Sequence, residues 1–155
     1  MKVKSIMTND VLHVKPDCPL RECYKVMKNF HIHHLVVVEK ERIKGIISLG
    51  DILYCSQLGK DGSLIVPETP VSEAMTRDVV TCNCTDKVAT IADVMLNRNI
   101  SAVPVVGRRK LIGIVTSTDL LCLLTSRNSI AMKNSSDILG VSRSSFLIRG
   151  WGNVS

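Results

Sequence analysis

Gly113-Ile114-Val115-Thr116-Ser117-Thr118-Asp119-Leu120 reads as a short buried strand running straight into a helix. Thr116 stands at the strand end, where a helix N-cap belongs. Its hydroxyl can accept a hydrogen bond from one of the unpaired amides of the first helical turn. Asp119, three residues on, holds the place of the acidic partner in a capping box. Alone, the pattern marks a helix start and nothing more. It is not alone. Gly45-Ile46-Ile47-Ser48-Leu49-Gly50-Asp51-Ile52 has the same form, and Gly113 lies 68 positions after Gly45 (113 − 45). The offset holds without a gap. Val3-Lys4-Ser5-Ile6-Met7-Thr8 matches Val71-Ser72-Glu73-Ala74-Met75-Thr76, and Asp10-Val11 matches Asp78-Val79. Val26-Met27 matches Val94-Met95, and Val37-Val38 matches Val105-Val106. A period this long is one supersecondary unit duplicated, not a solenoid array.

Working outward, each repeat reads as β-α-β-β-α. In the first, residues 11–14 form a strand that Pro16 and Pro19 break. The helix that follows has Asp17 or Cys18 near its cap and Pro19 in its first turn. Leu20, Cys23, Tyr24, Met27 and Phe30 recur at helical spacing, which makes that face core. Residues 34–39 and 43–48 are strands about a charged turn, and a helix runs from Asp51 to about Gln57. The second repeat follows suit. Its strands are expected at 79–81, 102–106 and 111–116, and its helices at 86–98 and 118–124. Val88, Ile91, Ala92 and Met95 should face inward. The organisation is a first motif at 1–58, a linker at 59–70 rich in Gly and Pro, a second motif at 71–126 and a tail at 127–155. The tail is serine-rich and reads as mobile or loosely docked, with 137–141 and 146–148 its only segments suited to packing.

Composition narrows the function. Apolar residues make up 45% of the 155, enough for a core, while aromatics are only 3%. So Val, Ile, Leu and Met must fill the interior, and a base-stacking nucleic-acid binder is argued against. No apolar run approaches a membrane span and no secretory signal precedes the first repeat, which places the protein in the cytoplasm. The six cysteines (18, 23, 55, 82, 84 and 122) do not correspond between the repeats and form no zinc or disulfide pattern. The net charge is +6. The tail supplies half of it, and much of the rest lies in two corresponding turns, Lys40 to Lys44 and Arg108-Arg109-Lys110. Such turns are ordinarily just solvated, but they could draw in a polyanionic ligand.

The V-x-x-x-M-T openings, the Val103-Pro104-Val105-Val106 strand and the two G-h-h-[ST]-x-x-D ends, in that order and at one offset, resemble a CBS-domain pair, or Bateman module. The resemblance covers about residues 1–126. It implies an α/β (α+β) fold of two tandem CBS units packed through their sheets with pseudo-two-fold symmetry. It also implies a homodimer or larger assembly, in which the helices after each [ST]-x-x-D pair between copies. Its ligands would be adenosine-containing: AMP, ADP, ATP or S-adenosylmethionine, bound as regulators, with no required cofactor. A carboxylate and a hydroxyl at a strand-to-helix junction suit a ribose, and apolar strand residues can sandwich a purine.

Carried over position by position, the resemblance implies two sites. One joins Thr116 and Asp119 with His13, Ile32, His33, His34 and Val36. The other joins Ser48 and Asp51 with Thr81, Ile100, Ser101, Ala102 and Pro104. The second fits the family better, since Thr81 and Pro104 fall where a Thr and a Pro are usual, whereas His13 and Val36 depart from it.

The histidines of His31-Ile32-His33-His34 admit three readings. They are surface imidazoles with His31 and His33 on one strand face, or phosphate contacts through His33 or His34, or metal ligands that would need a third partner. The chain carries no Walker loop, nucleophile elbow or paired-base constellation, so it is not read as an enzyme. The leading reading is a regulatory ligand-binding module that signals by conformational or assembly change. It would act on a partner protein in trans or belong to something longer. The alternatives are a ligand-free interaction scaffold, or a redox or metal protein using Cys82/Cys84 or the histidines.

Overall fold

The computed structural model describes residues 1–125, so the expectations for the tail lie outside the described residues. Two compact units divide the described residues: Leu12–Val79, and Met1–Val11 together with the described chain that follows Val79.

In the Leu12–Val79 unit the order is β1 (His13–Val14), α1 (Leu20–Phe30), β2 (His34–Glu39), β3 (Arg42–Ser48) and α2 (Leu49–Tyr54). The β1 strand runs parallel to β2, with His13 opposite Val36, and β2 pairs antiparallel with β3. The central strand carries Leu35, Val36 and Val37, all fully buried. Pairing limits β1 to two residues rather than the four expected, because only His13 and Val14 lie alongside β2, opposite Val36 and Val37. Pro19 is the N-cap of α1 itself, not a first-turn residue after an Asp or Cys cap. The buried face of α1 is Leu20, Cys23, Val26 and Met27, with Tyr24 and Phe30 half-buried.

His31 ends α1 in the left-handed conformation (φ 51°). It is therefore a helix terminator at the helix-to-strand corner, and strand alternation does not apply to it. The Ile32 N–H reaches back to the Met27 carbonyl at 3.0 Å, which satisfies one of the helix's last acceptors. The helix expected to run to about Gln57 ends at Tyr54, and Gln57 opens a two-stranded hairpin, β4 (Gln57–Leu58) with β5 (Leu64–Ile65), whose turn and second strand lie in the 59–70 stretch read as a linker. Gly62 at φ +81° and the Asp61 carboxylate, which accepts from the Ser63 N–H at 3.0 Å, close its turn.

The other unit repeats the plan with β6 (Cys82–Asn83), α3 (Val88–Arg98), β7 (Ala102–Gly107), β8 (Lys110–Thr116) and α4 (Ser117–Leu124). The strand expected at 79–81 forms instead at β6, where Cys82 lies opposite Val105. Asp86 is not in the helix as expected. Its carboxylate accepts from the Asn83 N–H at 2.8 Å and closes the turn before α3. Val88, Ile91 and Met95 are buried with Val103, Val105 and Val115, while Ala92 is half-buried. Asn99 ends α3 at φ 51°, as His31 ends α1.

Each unit borrows the opening segment that precedes the other repeat in sequence. In the unit built on the second repeat, the Val3 N–H donates to the Asp86 carbonyl (2.9 Å), and Thr8 and Ile114 exchange backbone bonds at 2.9 and 3.0 Å. In the Leu12–Val79 unit, the Val71 N–H donates to the Cys18 carbonyl (2.8 Å), and Thr76 and Ile46 exchange bonds at 2.9 and 3.0 Å. The methionines of the two openings meet the two strand glycines. A Cβ at Gly113 would lie 2.8 Å from Met7 Sδ, and one at Gly45 would collide with Met75 Sδ. Glycine is needed there because the thioether occupies the side chain's place.

Candidate strand-to-helix corners

The sequence quoted first folds as a strand that ends in a complete capping box. In β8–α4 the Asp119 N–H donates to Thr116 Oγ1 (3.4 Å), and the Thr116 N–H donates to Asp119 Oδ2 (2.8 Å). The Thr116 hydroxyl also donates to Oδ2 at 3.0 Å. In β3–α2 the Asp51 N–H donates to Ser48 Oγ (3.1 Å), and the Ser48 N–H donates to Asp51 Oδ2 (2.8 Å). In both boxes the carboxylate works through Oδ2, so neither box uses Oδ1. An ionised carboxylate can accept about four hydrogen bonds, so both aspartates keep acceptor capacity beyond the cap. All four residues are half-buried.

Strand register brings further expected residues to each corner. His34 lies opposite Ser48, and the Leu49 N–H donates to the His33 carbonyl at 2.8 Å. In the other unit Ala102 lies opposite Thr116, and the Ser117 N–H donates to the Ser101 carbonyl at 2.9 Å. Pro104 lies opposite Ile114. Ile32 and Ile100 are half-buried just after the two helix ends. His13 neighbours Val36 in the sheet, and Val36 and Pro104 are buried. Thr81 is exposed one residue before β6. The carried-over pairing sets His13, Ile32, His33, His34 and Val36 with Thr116 and Asp119, but by unit they fall with Ser48 and Asp51. Thr81, Ile100, Ser101, Ala102, Pro104, Thr116 and Asp119 form the other set.

Burial holds the His34 imidazole below the ordinary histidine value. Repulsion from His33 adds to this and attraction to Asp51 opposes it. His34 is thus neutral at pH 7 and offers a donor and an acceptor, not a charge. Burial pushes the Cys82 thiol up to about 11, with Asp86 and Cys84 contributing, which keeps it protonated and weakly nucleophilic. Among the described residues, no group of three or more His, Cys, Asp or Glu is placed to hold a metal ion. Nor is any described helix long and apolar enough to cross a membrane.

Comparison with known proteins settles the family. The CBS domain model matches residues 3–57 and 71–126. The chain belongs to the CBS-domain family. A CBS domain-containing protein of Bacillus subtilis, YhcV, is 33% identical over 119 residues, which are 76% of this chain and 81% of that protein. The crystal structure of the CBS domain pair of protein MJ0100, in complex with 5′-methylthioadenosine and S-adenosyl-L-methionine, superposes with a TM-score of 0.72 at 30% identity. It covers 82% of this chain and 98% of that one. Enzymes also contain the match. A homoserine O-acetyltransferase of Methanohalobium evestigatum is 31% identical over 124 residues, but these are only 24% of that protein. The CBS pair is thus a minor part of such an enzyme.

Proposed function

We propose that this CBS pair is a regulatory module whose two strand-to-helix corners bind the ribose of an adenosine-containing ligand. Asp51 and Asp119 would accept from the 2′- and 3′-hydroxyls through Oδ1, while Oδ2 holds the helix cap. Ser48 and Thr116 complete each corner. His34 and Ala102, beside them on the sheet, and the chain around Ile32 and Ile100 would meet the base. Thr81, Pro104, His13 and Val36 shape the sheet from which those contacts are made. Binding would shift conformation or assembly, and through that a partner protein in trans.

The observation that carries this reading is the spare carboxylate oxygen, repeated at two corners by the same capping geometry. A neighbour at 30% identity whose CBS pair is complexed with two adenosine compounds supports the ligand class. Isothermal titration calorimetry against AMP, ADP, ATP, 5′-methylthioadenosine and S-adenosylmethionine tests it. Saturable binding of at least one is expected. Heats at the dilution background for all five would overturn it and leave the interaction scaffold.

A further inference from the structure

Two free cysteines meet inside the Leu12–Val79 unit. Cys23 Sγ donates to Cys18 Sγ across 3.6 Å. Cys18 precedes the first residue of α1 by two positions, and Cys23 lies in the first turn of that helix. Both are buried, at 4% and 0% exposure. The chain around them is fixed from outside. The Cys18 carbonyl accepts from the Val71 N–H (2.8 Å), and the Leu20 N–H donates to the Thr69 carbonyl (2.9 Å). Asp17 and Arg21, near Cys18 in the chain, are exposed. In the second repeat the same positions are Asp86 and Ile91, so the duplicated fold does not require sulfur there.

We propose that Cys18 and Cys23 are a thiol modification site, which a peroxide converts to an intramolecular disulfide and a thiol reductant restores. Cys18 attacks the peroxide O–O bond as thiolate, forming a sulfenic acid and releasing one water after proton uptake. Cys23 sulfur then attacks the sulfenic sulfur. The S–S bond forms, the S–O bond breaks and the hydroxyl leaves with the Cys23 proton as a second water. Two thiols have lost two electrons and two protons, and hydrogen peroxide has become two waters. The order follows from the hydrogen bond. It lowers the Cys18 thiol from its ordinary value, against burial and the Glu22 and Asp17 carboxylates, and it raises Cys23. Closing 3.6 Å to the bond length of about 2.05 Å takes side-chain rotation within the packed helix start.

The test uses the reduced full chain, folded, treated with hydrogen peroxide, then alkylated and cut with trypsin without reduction. Trypsin cleaves after Arg21, between the two cysteines. The peptides holding Cys18 and Cys23 therefore stay joined only through a disulfide. The joined pair is expected, lighter by two hydrogens and released by dithiothreitol, with a yield that falls when the chain is oxidised in urea. In Cys23→Ser, Cys18 is expected to run on to sulfinic acid or to take up added glutathione. Three results would overturn the proposal: both thiols alkylated as unreacted, a yield in urea equal to that of the folded chain, or an unchanged fate of Cys18 in Cys23→Ser. The readout does not depend on any nucleotide and stands apart from the ligand proposal.

Discussion

Asp51 accepts the backbone N–H of Ser48 at Oδ2, at 2.8 Å, and its own N–H donates to Ser48 Oγ at 3.1 Å. One carboxylate thus carries a structural duty on one oxygen and leaves the other outside the cap. The pair Asp119 and Thr116 is built the same way.

The two duties separate by substitution. Asp51→Asn and Asp119→Asn keep an acceptor for the cap but lose the charge that strengthens bonds to ribose hydroxyls. Charge-assisted hydrogen bonds contribute about 1.5–3 kcal/mol, so adenosine-ligand affinity should fall by about ten- to a hundredfold at the altered corner. The melting temperature should move little. Asp→Ala should in addition cost about 1 kcal/mol of stability, with or without ligand, because the cap goes too. Calorimetry on folded Asn variants checks this. Unchanged affinity in both would leave the aspartates as caps only.

Gly113→Ala tests the exchange of opening segments. The added methyl would lie 2.8 Å from Met7 Sδ and 3.1 Å from the Thr8 carbonyl oxygen. Overpacking of this kind costs about 1–3 kcal/mol. Urea unfolding should show the loss, and Met7→Ala in the same chain should recover part of it by making room. If Met7→Ala only adds to the damage, the thioether is not what excludes the methyl.

How much of this was legible in the sequence depends on the range of the interaction. The 68-residue offset, the capping boxes at Thr116 and Ser48 and the central strands are written in local patterns, and they fold as read. Short elements were misplaced where a distant partner sets their limits. The strand sought at residues 79–81 forms at Cys82–Asn83 because that is where β7 runs alongside. His31 reads as a corner residue between helix and strand, but its left-handed terminator conformation shows only in the backbone. At the corners, the residue types were readable. Which oxygen of Asp119 remains after capping was not, because that is a matter of side-chain geometry. The Cys18–Cys23 contact is not legible in cysteine spacing, because it depends on how the residue before the Pro19 cap sits against the first turn of α1.

His34 predicts a pH dependence. Its pKa is held below the ordinary value, chiefly by burial. Between that lowered value and about 6.5, the unfolded chain binds a proton that the folded chain does not. Stability therefore rises with pH through this window. The contribution is complete above about 6.5 and is lost as acid is added. Urea midpoints measured from pH 5 to 8 should show the rise, and His34→Gln should flatten it. A rise of the same size in the variant would place the titration on another group.

Assembly is tested at the helices that follow the two capping boxes. In α2, Leu53 is 44% and Tyr54 93% exposed; in α4, Leu121 is 61% and Leu124 82% exposed. Single exposed apolar residues are ordinary on a monomer. Here Leu53 and Leu121 occupy the same position of the two repeats, so both copies of the unit present leucine to the outside at one place. Covering such a side chain contributes about 1.5–3 kcal/mol, enough that a handful of them holds two copies together. A homodimer or larger assembly is the expected state at micromolar concentration by light scattering. Leu53→Glu with Leu121→Glu should release monomers that keep their circular dichroism spectrum, since neither side chain is in the core. If the unaltered chain already scatters as a monomer over that range, these leucines do not join copies of the chain.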